Sequence, residues 1–340
     1  MAATNDHMLI VVGASAGGMQ ALKELVAQLP GDFPAPLLIV THMSPETTGE
    51  ALVRALDDAG PLHCEHAKDG QRFEPGTIYL APSDRHMLVE GDEILLTKGA
   101  RENRSRPAID PLFRSAAVAH GNRVIGVILT GYLDDGTSGM MAIKRCGGLC
   151  VAQDPDDAAH ADMPRSVIAN VGVDHCVPII RMGALLSELA RATPAERTPP
   201  PDDVVIEARI ARRVLSDLPS VEALGDQVPF NCPDCGGVLW KIKAEGPSRF
   251  RCHTGHAFTS AALLTAQSAR IEETLWTALR MFEERQNLVA TMKNRSTGAS
   301  SSALSQRAEE AQVHIDRIRA MLKATDVPVD AMNVDESDLG

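Results

Sequence analysis

The sequence predicts an α/β protein: a doubly wound, mainly parallel sheet with a small antiparallel insertion, followed by a small cysteine-bearing module and a helical hairpin. Three observations carry this. From Met8 to Leu189 short apolar runs alternate with amphipathic stretches, as in a parallel sheet covered on both faces. A polar, proline-rich segment from Thr193 to Asp203 then breaks the pattern. Beyond it stand a compact Cys/His spacing and two long stretches with apolar residues three and four apart.

The first strand, Leu9–Val12, ends in Gly13-Ala14-Ser15-Ala16-Gly17-Gly18 and turns into a helical pattern running to Leu29. Small residues around Ser15 permit a sharp turn that lifts a hydroxyl beside the free N–H groups of the next helix. Gly13-x-Ser15-x-Gly17 has the form of a nucleophile elbow. A phosphate or dinucleotide loop has a similar look, but it calls for an acidic residue at the tip of the next strand. Leu37–Thr41 runs instead into His42, a general base rather than a ribose ligand.

Further strands are expected at Leu62–Glu65, Val124–Leu129 and Leu149–Ala152, with helices over Thr47–Leu56, Asp110–Ala119, Ser138–Cys146 and Pro164–Ala169. Thr77–Ala81, His86–Val89 and Ile94–Leu96 form the expected antiparallel insertion, with His86 near a possible site rim. Ligands of doubly wound sheets bind at the carboxyl ends of strands. The strand ending at Leu129 leads to Asp134 and Asp135, either of which could orient His42 through Nδ1 or cap the helix that follows. Asp110 before Pro111 reads as a helix cap, and Asp154 before Pro155 as a turn.

The 340-residue chain has a net charge of −12 and no block of lysine or arginine, which argues against nucleic acid or an anionic membrane as main partner. No leader or membrane-length apolar run is seen, so a soluble, cytoplasmic protein is expected. The cysteine count, seven, is odd, and Cys64, Cys146, Cys150 and Cys176 lie scattered in apolar surroundings. They read as buried thiols rather than a disulfide framework.

The ordered series Gly13–Gly18, His42-Met43, Ile78–Pro82 with His86-Met87, Ala108–Asp110 with Leu112–Ser115, Leu129–Gly131 with Asp135-Gly136, and Met163–Arg165 resembles the catalytic domain of CheB-type chemotaxis protein-glutamate methylesterases. The resemblance covers residues 6–190. It implies Ser15 as nucleophile, His42 as base and Asp135 as the orienting acid, with backbone amides of Ala16, Gly17 and Tyr132 as oxyanion candidates and no cofactor for catalysis. It also implies hydrolysis of glutamyl γ-methyl esters on chemoreceptor helices and, in some members, glutamine deamidation. A non-catalytic signalling scaffold, or an esterase for a non-receptor protein, is the alternative. Tyr132 replaces the family's methionine, and Leu133 stands where glycine is common. The first strand begins within about ten residues of the N-terminus, far short of the receiver domain of response-regulated members. Control by a fused receiver is therefore not expected.

After a linker at 191–204, residues 205–262 form a helix and ribbon in which Cys232, Cys235, Cys252 and His256 have the C-x2-C-x16-C-x3-H spacing of structural zinc, with His253 the alternative fourth ligand. Trp240, Phe250 and Phe258 are its expected core, and metal removal is expected to unfold it without disturbing the esterase. Residues 263–325 are expected to form an antiparallel hairpin using Ile271, Leu275, Ala278, Leu279 and Phe282 against Ala308, Ala311, Ile315, Ile318, Met321 and Leu322. Its outer face could serve a signalling partner or a dimer. The acidic tail, 326–340, is expected to be disordered.

Overall fold

The computed structural model describes residues 7–193, 198–212, 218–244, 246–293 and 299–324. The tail at 326–340, linker residues 194–197 and part of the hairpin turn lie outside them. Two compact units divide at Leu263/Leu264.

In the first unit β1 (Leu9–Ala14), β2 (Leu37–Thr41), β3 (His63–His66), β4 (Thr77–Leu80), β7 (Val124–Ile128), β8 (Leu149–Gln153) and β9 (His175–Val177) form a seven-stranded sheet. Its order is β3-β4-β2-β1-β7-β8-β9, and its pairings are parallel. The order reverses between β1 and β7, which opens a crevice at their carboxyl ends. Alternate side chains go to opposite faces: Ile10, Val12, Leu37 and Ile39 enter one core, Leu9, Val11, Leu38 and Val40 the other. Both faces are therefore dry, which is why these strands read as unbroken apolar runs.

Helices α1 (Gly18–Val26), α2 (Glu50–Asp57) and α6 (Ile179–Leu189) carry residues of the first core, and α3 (Ile109–His120), α4 (Thr137–Arg145) and α5 (Asp162–Val171) of the second. Only β5 (His86–Glu90) and β6 (Glu93–Thr97) make the antiparallel hairpin. Thr77–Leu80, expected in that insertion, is instead a parallel strand between β2 and β3. A strand so short has no periodicity that distinguishes the two uses. Cys64, Cys146 and Cys150 are buried as expected, but Cys176 is exposed because β9 is an edge strand.

Helix α7 (Asp202–Arg212) starts within the last residues of the expected linker and seats Val204 in the second core. Next come α8 (Leu218–Glu222) and the antiparallel sheet β10 (Gly225–Asn231), β11 (Val238–Ile242), β12 (Arg249–Cys252) and β13 (Ala257–Thr259). Trp240, Phe250 and Phe258 are buried, Trp240 against Ile210, Val221 and Leu224. This ribbon belongs to the same compact unit as the parallel sheet, whereas the linker suggested a separate domain. Arg251 of β12 and Arg114 of α3 share the buried carboxylates of Glu102 and Glu207, and Arg249 closes on Glu207 with two bonds of 2.8 Å. Burial alone would raise both acids, yet the guanidiniums, Arg114 foremost at Glu102 and Arg249 at Glu207, hold them below the usual carboxylate range.

In the second unit α9 (Ser260–Lys293) and α10 (Ala299–Ala324) meet through Leu279, Ile315 and Ile318, backed by Leu275, Phe282 and Leu322. Arg319 reaches Glu283 at 2.8 Å. Ile271 and Met321, expected in this seam, are exposed. Among the described residues no helix is long and apolar enough to cross a membrane.

Candidate active site and metal cluster

Ser15 follows β1, His42 follows β2 and Asp135 lies in the loop after β7, so three neighbouring strands deliver the three groups to the crevice. Ser15 Oγ lies 3.1 Å from His42 Nδ1, and His42 Nε2 lies 2.6 Å from Asp135 Oδ2. The ring is turned opposite to expectation: Nδ1 faces the serine and Nε2 the acid. The chemistry is unchanged, because either nitrogen can take the hydroxyl proton while the other donates to the carboxylate.

The glycines have individual reasons. A Cβ on Gly13 would sit 2.5 Å from Ile109 Cγ2, so the first residue of α3 can press against β1 only if that position is bare. Gly17 has φ of 75°, the left-handed turn that starts α1, and its Cβ would meet Ala159 at 2.9 Å. At Gly131 a Cβ would fall 2.9 Å from that of Ser15, so the loop after β7 lies directly on Ser15.

Within this turn the Ser15 amide is spent on Thr130 O at 2.9 Å and the Gly131 amide on His160 O at 3.0 Å. Among the described residues none accepts a hydrogen bond from the amides of Ala16, Gly17 or Tyr132. Unpartnered backbone amides are the kind of donor that can bind an oxyanion. Leu133 takes φ of 61°, a left-handed conformation that explains why glycine suits the position and costs a leucine about 1–2 kcal/mol. Tyr132 is exposed and packs on the His160 ring at 4.2 Å between centroids. The sequence reading did not single out His160; only its place next to this loop marks it.

Asp135 is buried, and burial pushes its carboxyl up, but the hydrogen bond and charge of His42 outweigh this, with Ile109 N and Asn103 adding to the effect. Its pKa is held below the usual range. The carboxylate accepts from Ile109 N at 2.8 Å and Asp110 N at 3.3 Å, so it caps α3 rather than the helix that follows it. Asp110 in turn caps α4, accepting from Gly136 N at 3.1 Å and Gly139 N at 2.6 Å. The two aspartates cap each other's helices. Burial, then the charge of Asp135, pushes Asp110 up to about 7, and burial pushes Asp134 up to about 6.

Asn103 is the group that sequence reasoning missed. Its side-chain N–H donates to Asp135 Oδ1 and Asp110 Oδ2, both at 3.0 Å. Nothing in its local pattern announces this. His86, considered for the site rim, is buried; its Nε2 donates to Ala100 O at 3.0 Å and its Nδ1 accepts from Ala108 N at 3.3 Å. Asp154 closes a turn with Asp156 N, as expected.

A serine hydroxyl, an imidazole and a buried carboxylate in this order, at neighbouring strand tips, define a site of the serine-hydrolase class. Residues 10–186 match the sequence profile of the CheB methylesterases, and the chain belongs to that family. A Leptospira interrogans protein, provisionally named a protein-glutamate methylesterase/protein-glutamine glutaminase, is 39% identical over 185 residues, covering 54% of this chain and 95% of its own. The protein-glutamate methylesterase/protein-glutamine glutaminase of group 3 operon from Bradyrhizobium diazoefficiens is 40% identical over 175 residues, or 50% of this chain and 48% of its own. This chain thus spans about half the length of that relative. The crystal structure of the Thermotoga maritima CheB methylesterase catalytic domain is 35% identical and superposes with a TM-score of 0.52, covering 54% of this chain and 98% of that one.

Outside the matched region, Cys232, Cys235, Cys252 and His256 bring their ligand atoms within 4.8 Å of one another and could hold a metal ion. Cys235 Sγ to Cys252 Sγ is 3.7 Å, the edge of a tetrahedron whose metal–sulfur bonds are about 2.3 Å. His256 Nδ1 faces Cys252 Sγ at 3.5 Å, whereas His253 is not in the group. The donor set fits zinc.

Proposed function

We propose that this chain hydrolyses glutamyl γ-methyl esters on chemoreceptors or chemoreceptor-like proteins, with Ser15 as nucleophile, His42 as base and Asp135 as the acid that orients it. The observation that carries the reading is the continuous line from Ser15 Oγ through both His42 nitrogens to Asp135, beside three amides without partners among the described residues. His42 Nδ1 takes the Ser15 proton as the oxygen attacks the γ-carbonyl. The amides of Ala16, Gly17 and Tyr132 receive the oxyanion, and His42 returns the proton to departing methanol. Water repeats the sequence and releases glutamate. Ammonia replaces methanol as leaving group when the substrate is glutamine, so one site serves both esters and amides.

Asp135 stays ionised throughout, because the groups that hold its pKa down remain in place while His42 carries the extra proton. Exposed Tyr132 and Leu133 at the mouth offer apolar surface to a substrate helix. Cys232, Cys235, Cys252 and His256 would hold a structural zinc with no open position, which supplies no chemistry to ester hydrolysis. A cytoplasmic location agrees with the free cysteines. The hairpin's exposed residues could serve a signalling partner or a dimer.

Wild type and Ser15→Ala, incubated with receptor carrying radiolabelled methyl esters, test the reading. Methanol release should fall at least about a thousandfold in the variant. Equal release from both would end the triad assignment.

A further inference from the structure

We propose that Asn103 is a positioning residue for Asp135 and that strand β13, tied off by the Cys/His cluster, holds Asn103 in place. This rests on the triad reading above and adds to it a part of the chain outside the matched region.

The geometry is a short chain of bonds. His256, the last member of the cluster, immediately precedes β13. The first residue of that strand, Ala257, accepts from Asn103 N at 2.8 Å and donates to Arg101 O at 3.3 Å, so segment 101–103 lies along β13 as a partial extra strand. Two residues on, Thr259 N donates to Asn103 Oδ1 at 3.3 Å. That bond settles which way the amide points. With Oδ1 taken by Thr259, the NH2 group must face the two carboxylates, and it donates to Asp135 and Asp110. The Thr259 hydroxyl donates to Asp134 Oδ1 at 2.8 Å, pinning the loop that carries the triad acid from the other side.

Asn103 itself sits at φ of 48° and Arg104 at 64°, a left-handed pair. Such a turn persists only where its surroundings enforce it. Here β13 supplies the enforcement. Glu102, next to Asn103, is bonded to both Arg114 and Arg251, so its side chain anchors the same segment to α3 and to β12. Without β13, Asn103 loses both its backbone partner and the bond that orients its amide, and Asp135 loses the lateral contact that, together with Ile109 N and Asp110 N, fixes its rotation toward His42. A displacement on the order of 1 Å in such a contact can cost about a hundredfold in rate. Loss of the metal from the cluster is therefore expected to reach the esterase site, contrary to the independence that the linker suggested.

The test uses the full chain. Asn103→Ala and Thr259→Val are compared with wild type, with Thr259→Ser as the conservative variant that keeps the hydroxyl. Three quantities are read: kcat and KM for a small p-nitrophenyl ester, and the low-field proton resonance of the His42–Asp135 hydrogen bond in histidine-labelled protein. Asn103→Ala should lower kcat by roughly 10- to 100-fold with KM within about twofold, and should broaden or shift the resonance. Thr259→Val should do the same more weakly, and Thr259→Ser should restore both. Chelation of the metal from wild type should reproduce the Asn103→Ala spectrum. An unchanged resonance and kcat in Asn103→Ala would overturn the positioning role. A resonance that persists after chelation, with ribbon signals lost, would overturn its dependence on β13. Failure of the triad reading is separate: hydrolysis surviving in Ser15→Ala would show it, whereas the resonance reports the mounting of Asp135 regardless of which ester is cleaved.

Discussion

Glu207→Gln tests whether the buried ion cluster joins α7 and the ribbon to the esterase. Glu207 is 2% exposed and accepts both bonds from Arg249, with Arg251 at 3.4 Å and Arg114 at 3.7 Å. In the wild type Arg114, Arg249 and Arg251 surround Glu102 and Glu207; in the variant Arg114 and Arg251 keep Glu102, while Arg249, which pairs with Glu207, faces a neutral amide. Removing one partner from a buried pair costs about 3–5 kcal/mol, because the remaining charge stays out of water without compensation. Arg249, 14% exposed at its side chain, can recover some solvation, which favours the lower end. For a unit of this size each kcal/mol lowers Tm by about 2–4 °C, giving a fall of roughly 6–12 °C. Thermal unfolding of the full chain by far-ultraviolet ellipticity measures it. Adding Arg249→Met should recover part of the loss, since the charge left behind is removed with its partner. A Tm within about 2 °C of wild type for Glu207→Gln, or strict additivity in the double variant, would refute the reasoning.

Gly17→Ala should fold but lose at least about tenfold in kcat, because the left-handed turn and the 2.9 Å approach to Ala159 leave no room for a methyl group and the Gly17 amide, proposed to bind the oxyanion, must shift; KM and kcat on a small ester check it. Asp110, with its pKa raised to about 7 in the fold, binds a proton that the unfolded chain has already released between about pH 4 and 7. Its contribution to stability is present below that window and is lost as pH rises through it. Asp110→Asn should therefore show a flatter fall in stability from pH 5 to pH 8 than wild type in urea titrations, and parallel curves would sink this account.

The sequence by itself determined the alternation of parallel strands and helices, because strands buried on both faces must be apolar at every position and strand tips are where polar groups then stand out. Ser15 and His42 were legible for that reason: each ends an apolar run, and each strand tip faces the same crevice. The spacing of Cys232, Cys235, Cys252 and His256 was legible because metal ligands on tight turns leave a fixed separation in the chain. The placement of Thr77–Leu80 was not, since parallel and antiparallel pairing of so short a run depends on which neighbour is available. The sequence also could not reveal that Asp135 caps α3 while Asp110 caps α4, or that Thr259 orients the amide of Asn103. Those bonds join residues from 25 to 156 positions apart, and each forms only once sheet, helices and ribbon have closed around the same buried carboxylates. Periodicity and spacing report what a segment does within itself. The support of Asp135 is a meeting of four segments, and only the tertiary structure decides it.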